Sequence, residues 1–383
     1  MVLILKKLFY SLYAIFFNIS RIFPVKQNRI AFVAPHNGGN GDSLGTLRSY
    51  IEKKGGYDIV TISARDLKLD FSGIGALASS CLKAAGFFTL KAKALATSKY
   101  VFLNDNFMPM ASLKFSHKAV ITQLWHAEGA FKKFGLSAPL TAEVAAREKK
   151  CSEKLTYIVC SSKNVAPVYA EAFGVEQNKI LPLGAARIDS LLAEKDIASL
   201  RSEFDKNHPE CKGKKLVLYA PTFRDSHEAN KKLLDNIDMG AFNRELGNEY
   251  CLLVKLHPQI NAGVTTKGTV DVTQNHDIGD LTLICDLLIT DYSSACMDFA
   301  LLSKPCVFFA FDLDEYEKER SFYFDYESYV PGAVAKDFSA VIEAIKNPRA
   351  DEEKLRRFRE FNFDYSDCEN CRRIYNYIIS SNS

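Results

Sequence analysis

The sequence predicts an α/β protein with two Rossmann-like domains, each built on a parallel sheet, that face each other across a cleft. Short apolar runs of strand length alternate with amphipathic or polar stretches of helix length, which is typical of parallel sheets covered on both faces. A charged helical stretch over residues 185–213 separates two series of such runs. The chain has 383 residues, enough for two domains.

The predicted elements follow from these apolar runs. Six strands are predicted in the first series, at 29–35, 57–63, 99–105, 118–125, 156–162 and 179–184. Four are predicted in the second series, at 214–221, 249–258, 285–291 and 304–311. Helices are predicted at 73–97, 163–173, 188–206, 229–245 and 293–303. We therefore expect an N-terminal domain over 26–185, a C-terminal domain over 186–365, and a C-terminal helix over 366–383 that packs back on the N-terminal domain.

The N-terminal segment, residues 1–25, is predicted to be an amphipathic helix on a membrane surface. Its longest uncharged run, residues 8–20, has 13 residues, whereas a spanning helix needs about 20. It also lacks the small-residue cleavage site of a signal peptide. Apolar residues surround one narrow polar stripe at helical spacing, formed by Lys7, Ser11, Ala14, Asn18 and Arg21. Such helices bind anionic lipid. The alternative is a helix packed on the protein's own core.

Composition and charge narrow the classes of protein. With 47% hydrophobic and 25% charged residues, the chain has an ordinary globular composition, which argues against disorder and against a polytopic membrane protein. The net charge of +3 is too small for a dedicated nucleic-acid binder. Residues 1–41 contain five bases and no acid, so the positive charge is concentrated at one end. The ten cysteines lack the spacing of a disulfide framework, which indicates a reducing compartment.

Candidate functional residues lie where predicted strands end, because ligands of open α/β sheets bind outside the carboxyl ends of the strands. In the first domain, Trp125 and His126 follow a strand, and Lys132 and Lys133 come shortly after. The histidine is a candidate general base and the lysines are cationic donors. A lone histidine at a strand end is also compatible with a purely structural role.

Two strand ends in the second domain carry basic residues. The segment LYAPTFRD opens at Pro221 and Thr222 and presents Arg224. Lys255 and His257 alternate at the end of another strand, so they are predicted to point to the same face of the sheet.

A further strand of the second domain, 285–291, leads into a helix that begins near Ser293 and Ser294. Hydroxyls and free amides at a helix N-terminus form an anion site suited to phosphate. The alternative is that either serine acts only as the N-cap of that helix.

Taken together, these segments resemble a known family. The segments are QLWHAEGAFKKFG, VLYAPTFRD, KLHP and DLLITDYSSACMDFALLSKPCVFFAFDLDEY, followed by SFYFDYESYVPG. In this order and spacing they resemble the CDP-glycerol glycerophosphotransferase family of teichoic-acid primases and polymerases, over about residues 117–335. The resemblance implies a GT-B arrangement of the two domains, no cofactor, no metal requirement, and peripheral attachment to the cytoplasmic face of a bacterial cell membrane.

The resemblance also implies roles for individual residues. His126 and His257 correspond to two histidines regarded as essential in the family. On the donor side it places Arg224, Thr290, Asp291, Ser293, Ser294 and Asp298. From their positions at strand ends, we also expect Pro221, Thr222 and Lys255 on the donor side. On the acceptor side we expect Trp125, Glu128, Lys132 and Lys133. The family's usual glycine, threonine and proline after the first histidine are replaced by Ala127, Glu128 and Gly129, which leaves the identity of the acceptor open.

We therefore expect transfer of glycerol phosphate from CDP-glycerol to a hydroxyl of a membrane-bound polyprenyl-diphosphate-linked disaccharide or polyol-phosphate chain, with release of CMP. In this hypothesis His126 removes the hydroxyl proton. His257, Arg224 and the serine helix end stabilise the pyrophosphate and the departing CMP. Asp312 and Asp314 form an Asp-x-Asp motif, interpreted as a charged helix start and not as a metal site.

Three alternatives remain open. The donor could be CDP-ribitol, since glycerol and ribitol differ only in polyol length. The chain could instead be a sugar-nucleotide glycosyltransferase of the same fold, although the TDYSS segment favours a CDP-alcohol. The third alternative is a non-catalytic nucleotide-binding module on the membrane. Two histidines at strand ends argue against it, because binding alone does not require proton-active groups.

Overall fold

The computed structural model describes residues 2–35, 41–68, 70–224, 226–257, 268–348 and 351–382. The chain divides into two compact units. The first unit comprises Met1–Ala193 and Asp364–Ser383, and the second unit comprises Glu194–Phe363. Each contains a six-stranded sheet whose described strand pairs are all parallel. The predicted α/β class with two parallel-sheet domains is confirmed.

The sheet of the first unit has the strand order β2-β1-β3-β4-β5-β6. Its strands are β1 (Lys26–Ala34), β2 (Asp58–Ser63), β3 (Ser98–Leu103), β4 (Val120–Gln123), β5 (Tyr157–Val159) and β6 (Ile180–Leu181). Its helices up to the unit boundary are α1 (Val2–Ser20), α2 (Ser43–Lys54), α3 (Ile74–Gly86), α4 (Ala92–Ala96), α5 (Ala142–Ser152), α6 (Ala166–Phe173) and α7 (Ala186–Leu192). A π-helical turn, Phe87–Lys91, joins α3 to α4.

The sheet of the second unit has the order β12-β11-β10-β7-β8-β9. Its strands are β7 (Lys215–Tyr219), β8 (Tyr250–Val254), β9 (Val270–Asp271), β10 (Leu287–Thr290), β11 (Cys306–Phe309) and β12 (Gly332–Ala335). Its helices are α8 (Ile197–Asn207), α9 (His227–Asp235), α10 (Met239–Glu245), α11 (Ile278–Ile284), α12 (Ala295–Leu301), α13 (Leu313–Glu319), α14 (Tyr326–Tyr329), α15 (Phe338–Lys346) and α16 (Glu352–Asn362). The last helix, α17 (Asn370–Ile378), belongs to the first unit.

Every predicted strand is present, but β9 and β12 were not predicted. The first has only two residues. The second, with the sequence GAVA, carries no large apolar side chain. Gly332 is required there because β12 runs close to β11: a Cβ at this position would lie 1.9 Å from the carbonyl oxygen of Cys306.

The two units meet in sequence at Ala193 and Glu194, eight residues beyond the predicted boundary. The reason is that α7, assigned to the second domain from sequence, packs on α2 of the first unit. Residues after 363 also belong to the first unit. The carboxylate of Asp189 on α7 accepts hydrogen bonds from the backbone amides of Asn370 (3.0 Å) and Cys371 (2.7 Å) and so fixes the start of α17.

Helix α1 packs one face on the first unit. Tyr13 and Phe17 are fully buried, and the ring of Tyr13 lies 5.3 Å from that of Phe107. Part of the predicted polar stripe also faces the protein: Lys7 forms an ion pair with Glu143 at 2.9 Å. This packing on the protein's own core is the alternative named above, and the predicted contact of α1 with a membrane surface stays a prediction.

The opposite face of α1 is apolar and exposed. Its side chains repeat at helical spacing and are between 39% and 63% exposed: Leu5, Leu8, Leu12, Ile15 and Ile19. We call these five residues the outer face of α1. No helix among the described residues combines the length and the hydropathy needed to span a membrane.

Each sheet contains a topological switch point, where the strand order reverses and where ligands of open α/β sheets bind. In the first unit the switch lies between β1 and β3, because β2 follows on one side and β4, β5 and β6 on the other. In the second unit it lies between β7 and β10. These two edges are the places to look for function.

The cysteines differ from expectation at one pair. Cys211 and Cys251 form a disulfide, with a Cα–Cα distance of 5.4 Å. Cys211 precedes β7 and Cys251 lies on β8, so the parallel pairing of these strands brings the sulfurs together. The spacing of 40 residues in sequence carries no signal of this contact.

Candidate active site

The predicted donor residues meet at the switch point of the second unit. Thr290, at the end of β10, donates through Oγ1 to the carbonyl of Ala220 at 2.7 Å. The backbone amide of Thr222, just after β7, donates to Oδ1 of Asp291 at 2.7 Å. Thr290 and Asp291 are at most 1% exposed. These bonds fix the carboxyl ends of two neighbouring strands to each other, as a preorganised site requires.

Arg224 lies at the centre of a buried ionic network. Its guanidinium binds Asp312 through two parallel bonds of 2.8 and 3.0 Å and forms an ion pair with Asp291 at 2.9 Å. A third bond, of 2.7 Å, goes to the carbonyl of Thr222. Asp312 immediately precedes α13 and is therefore the helix-start residue expected from sequence, but it is also the main partner of Arg224. The predicted contact of Arg224 with a donor remains a prediction, while these bonds assign it a positioning role.

Two tyrosine rings complete this network. The Arg224 guanidinium lies 5.0 Å from the ring centres of both Tyr292 and Tyr316, and those rings stack at 3.7 Å. The Tyr292 hydroxyl donates to Asp312 at 2.9 Å. Burial raises the pKa of Tyr316 to about 12. Burial, with the charge of Asp312 adding to it, also raises the pKa of Tyr292. Both phenols therefore stay neutral; the Tyr292 hydroxyl is a donor, whereas the buried Tyr316 hydroxyl has no hydrogen-bond partner among the described residues.

The other predicted donor residues at this edge differ in burial and in hydrogen bonding. The Thr222 hydroxyl is buried and has no hydrogen-bond partner among the described residues. Ser294 precedes α12 and is exposed, whereas the Ser293 hydroxyl accepts the backbone amide of Ala295 at 3.2 Å. Asp298 is buried on the first turn of α12. Pro221 is buried beside Thr222. The assignment of these residues to the donor remains a prediction.

Lys255 and His257 differ in their surroundings. The ammonium of Lys255 donates to the carbonyls of Val272 (3.4 Å), Thr273 (3.2 Å) and His276 (2.7 Å), and burial lowers its pKa. It therefore fastens the segment after β9 to the end of β8. The His257 side chain is exposed, and its ring centre lies 5.6 Å from that of Phe223. The neighbouring residue Pro258 lies outside the described residues.

In the first unit, His126 follows β4 with its imidazole half exposed. Its Nδ1 lies 3.3 Å from the carbonyl oxygen of Asn104 and 3.7 Å from the carboxylate of Asp105. An Nδ1–H donated to Asn104 leaves Nε2 unprotonated and able to accept a proton. The Gln123 side chain donates to the carbonyl of Asp105 at 3.2 Å and holds this loop against β4.

The predicted acceptor-side residues have different environments. Trp125 has a positive φ of 58° and is buried, with its ring 5.0 Å from that of Phe134. Glu128 is buried and accepts from Arg187 at 2.8 Å, so its carboxylate serves an internal ion pair. Lys132 is partly buried and Lys133 is exposed. Their contact with an acceptor remains a prediction.

Sequence reasoning missed two residues of these sites. Asp105 ends the predicted strand 99–105 next to Asn104, and its position at a carboxyl end was the available signal. Asp312 was assigned only a local role, because its partner Arg224 is 88 residues away. Among the described residues, no group of three or more His, Cys, Asp or Glu side chains is arranged to hold a metal ion.

Comparison with known proteins places this geometry in context. The teichoic acid poly(ribitol-phosphate) polymerase of Bacillus spizizenii is 31% identical over 98% of this chain, which spans 60% of the polymerase's own length. The teichoic acid ribitol-phosphate primase of the same organism is 33% identical over 75% of this chain and 76% of its own. The teichoic acid glycerol-phosphate primase of Bacillus subtilis is 30% identical over 76% of each chain.

Solved structures share the fold. A structure of the wall teichoic acid polymerase TagF superimposes with a TM-score of 0.76 and 22% identity, covering 97% of this chain and 93% of TagF. UDP-GlcNAc 2-epimerase from Neisseria meningitidis gives a TM-score of 0.60 at 11% identity, covering 92% of this chain and all of the epimerase chain. The fold is therefore GT-B-like. Residues 15–380 match the family described as CDP-glycerol:poly(glycerophosphate) glycerophosphotransferase, and the chain belongs to this family.

Proposed function

We propose that this chain transfers glycerol phosphate from CDP-glycerol to a hydroxyl of a membrane-bound, polyprenyl-diphosphate-linked acceptor and releases CMP, in the synthesis of wall teichoic acid or a related polymer. The observation that carries the proposal is the convergence of Thr222, Thr290 and Asp291 at the switch point of the second unit. All three were predicted from the sequence to lie on the donor side. Family membership over residues 15–380 supports the reaction class.

The proposed chemistry is a single displacement at phosphorus. The acceptor oxygen bonds to the β-phosphorus of the CDP-alcohol, and the bond from that phosphorus to the bridging oxygen breaks. CMP leaves with the bonding electron pair, while the hydroxyl proton passes to Nε2 of His126. In the second unit, the Thr222 hydroxyl and Ser294 supply hydrogen bonds to phosphate oxygens, and His257 stabilises the charge that develops on CMP.

CDP-ribitol is a second candidate donor. One observation makes it a candidate: the ribitol-phosphate polymerase and ribitol-phosphate primase of Bacillus spizizenii are among the relatives that match, at 31% and 33% identity. A glycerol-phosphate primase matches at 30%, so identity alone gives no preference.

The test is to incubate the purified full chain with CDP-glycerol, CDP-ribitol or UDP-GlcNAc in separate reactions. Each reaction contains a short-chain lipid-linked disaccharide acceptor, and nucleotide release and product length are measured. Acceptor-dependent CMP release from either CDP-alcohol is the expected result, and the faster donor identifies the polyol. Turnover of UDP-GlcNAc alone would instead assign a glycosyltransferase, and use of none of the three would refute the proposal.

The same proposal places the protein on the cytoplasmic face of the cell membrane, bound through the outer face of α1. Five aliphatic side chains lie along one side of this helix, while its other side packs on the first unit through Tyr13 and Phe17. A helix held in this way presents a fixed apolar surface of the kind that inserts at the headgroup boundary. The basic excess of residues 1–41 favours anionic lipid.

Replacing Leu8 and Ile15 together with glutamate is expected to weaken binding to anionic vesicles by at least about 10-fold, because each buried aliphatic side chain contributes about 1.5–3 kcal/mol. Leu8 is 63% and Ile15 54% exposed, so the folded unit should tolerate both changes. Cosedimentation measures the effect. Ile197→Glu, at an exposed position of the second unit, is the matched control. Equal sedimentation of the variant and wild type would place the membrane contact elsewhere.

A further inference from the structure

The buried side chain of Gln123 joins the two loops beside His126. Gln123 is the last residue of β4 and is 1% exposed. Its Oε1 accepts the backbone amide of Trp125 at 3.0 Å, and its Nε2 donates to the carbonyl of Asp105 at 3.2 Å. A backbone amide requires an acceptor and a carbonyl requires a donor, so these partners determine the orientation of the side-chain amide. One side chain therefore ties the loop after β3 to the loop after β4.

The backbone of Trp125 has a conformation that tryptophan rarely adopts. Its φ of 58° lies in the left-handed region, where a bulky side chain is strained. Such strain persists only where the surroundings impose it, and it is concentrated at functional sites. The ring of Trp125 is held by contacts with Phe134 at 5.0 Å and Phe173 at 5.2 Å. Its backbone amide is held by Gln123, so the turn is imposed from both sides.

This turn brings the Trp125 ring onto the imidazole of His126. Successive side chains of a strand point to opposite faces of the sheet, but these two ring centres are only 4.2 Å apart, with the planes inclined by 34°. The contact therefore depends on the left-handed turn and is not available to an extended chain. It restricts the rotation of an imidazole that is otherwise half exposed.

The loop after β3 supplies the groups that face Nδ1 of His126. The carbonyl oxygen of Asn104 lies 3.3 Å from Nδ1, and one carboxylate oxygen of Asp105 lies 3.7 Å from it. The other carboxylate oxygen of Asp105 accepts the backbone amide of Asn106 at 2.6 Å, which fixes the carboxylate within its own loop. The carbonyl of Asp105 accepts from Gln123. The loop that orients Nδ1 is therefore also tied to the end of β4.

We propose that Gln123 is a positioning residue for His126 in the transfer reaction. Its amide holds the two loops so that the Trp125 ring limits rotation of the imidazole and the Asn104 carbonyl receives Nδ1–H. This arrangement keeps Nε2 unprotonated and ready for the acceptor hydroxyl. Gln123 is too deeply buried to contact a substrate, so it acts through His126. The inference rests on the proposed function, to which it adds this residue.

The first test compares Gln123→Met with the wild type in acceptor-dependent CMP release. Methionine is close to glutamine in length but lacks its amide donors and carbonyl acceptor. We expect kcat to fall about 10-fold or more, since a misplacement of about 1 Å can cost about 10²-fold, while the KM for the CDP-alcohol stays unchanged. Thr156→Val is the matched control, because it removes a side-chain acceptor of the same strand, bonded to the amide of Ile121 at 3.1 Å. Its kcat should equal that of the wild type.

A second test reads the ring contact without any turnover. Trp125 is the one tryptophan of the chain, and a protonated imidazole in contact with an indole quenches its fluorescence. Acidification from about pH 8 to about pH 5, across the ordinary histidine pKa of about 6.5, should therefore lower the emission of the wild type and of Thr156→Val. His126→Ala should abolish this fall, and Gln123→Met should abolish most of it. Urea unfolding shows whether each variant is folded.

Folded Gln123→Met that keeps the wild-type kcat, or that loses kcat with the full fluorescence response, would overturn the proposal and leave the proposed function intact. If Gln123→Met does not fold, Gln123→Glu replaces it at about pH 8, where its carboxylate accepts the Trp125 amide but has no donor for the Asp105 carbonyl. Its kcat should fall while the fluorescence response remains, and a wild-type kcat would overturn the proposal. Absence of CMP release from the wild type would refute only the proposed function, because the fluorescence response does not depend on turnover.

Discussion

Alanine in place of His126 is expected to slow acceptor-dependent CMP release by about 10² to 10⁴-fold, the usual contribution of a general base. The imidazole is half exposed, and its one hydrogen-bond contact among the described residues is with the carbonyl of Asn104. Its removal therefore leaves no cavity, and the free energy of unfolding should change by less than about 0.5 kcal/mol. Steady-state assays at saturating donor and acceptor measure kcat, and urea unfolding measures stability.

The matched control for this variant is His117→Ala. This change removes an exposed histidine of the same unit that precedes β4 and does not lie at the carboxyl end of a strand. Its kcat should equal that of the wild type. If His126→Ala retained near-normal CMP release, proton transfer would have to occur at another group. A fall in stability parallel to the fall in kcat would show instead that the imidazole acts mainly as a structural element between β4 and the loop after β3.

The predictable part of the fold was the part encoded locally. The runs LVLY in β7 and LLIT in β10 are continuous and apolar because both faces of a parallel sheet are covered, and this pattern is visible without any partner. The strand β12 carries small residues because of its close approach to β11, which sequence does not show. Local pattern therefore identified the apolar strands of this sheet and missed its two edge strands, β9 and β12.

The orientation of α1 illustrates a second limit of prediction from sequence. Periodicity predicted a helix with a narrow polar stripe, but both interpretations of the segment share that periodicity. Which face is buried depends on Phe87 and Phe107, about 70 and 90 residues beyond the helix, whose rings pack on Tyr13. Only the tertiary structure shows that Lys7 faces Glu143 and that the outward surface is aliphatic.

For the candidate sites too, the positions of residues along the strands were predictable from sequence and their distant partners were not. Strand ends located His126, Thr222 and Asp291 correctly at carboxyl edges, because the topology of a parallel sheet determines where such edges lie. The partners of these residues come from distant parts of the chain and were not predictable. Arg224 shows the consequence: the sequence assigned it to the donor side, which stays a prediction, but gave no indication that its guanidinium binds the carboxylates of Asp312 and Asp291.

Methionine in place of Arg224 is expected to destabilise the second unit by about 3–5 kcal/mol, because it leaves the buried carboxylate of Asp291 and the partly buried carboxylate of Asp312 without their cation. Lysine should restore little of this loss. One ammonium does not reproduce the two parallel bonds to Asp312, the pair with Asp291 and the stacking on Tyr292.

The measurement must report on the second unit. The one tryptophan of the chain, Trp125, lies in the first unit, so its fluorescence does not follow this change. Hydrogen exchange of the amides in β7 and β10 reports on this change, because these strands carry the network at their ends. Arg356→Met is the matched control: its ion pairs on α16 are exposed, and such pairs contribute about 0–1 kcal/mol.

A double-mutant cycle separates positioning from a direct role in donor binding. If Arg224 acts by neutralising Asp312, then Arg224→Met combined with Asp312→Asn should cost less stability than the sum of the two single changes, because the double variant leaves one unpaired carboxylate fewer. Additive effects, or a loss for Arg224→Met no larger than for Arg356→Met, would contradict the positioning role. If Arg224 has only the positioning role, the loss of donor affinity in the variant should match the loss of protection from hydrogen exchange in β7 and β10. The reason is that those two strands hold Thr222 and Thr290 in register.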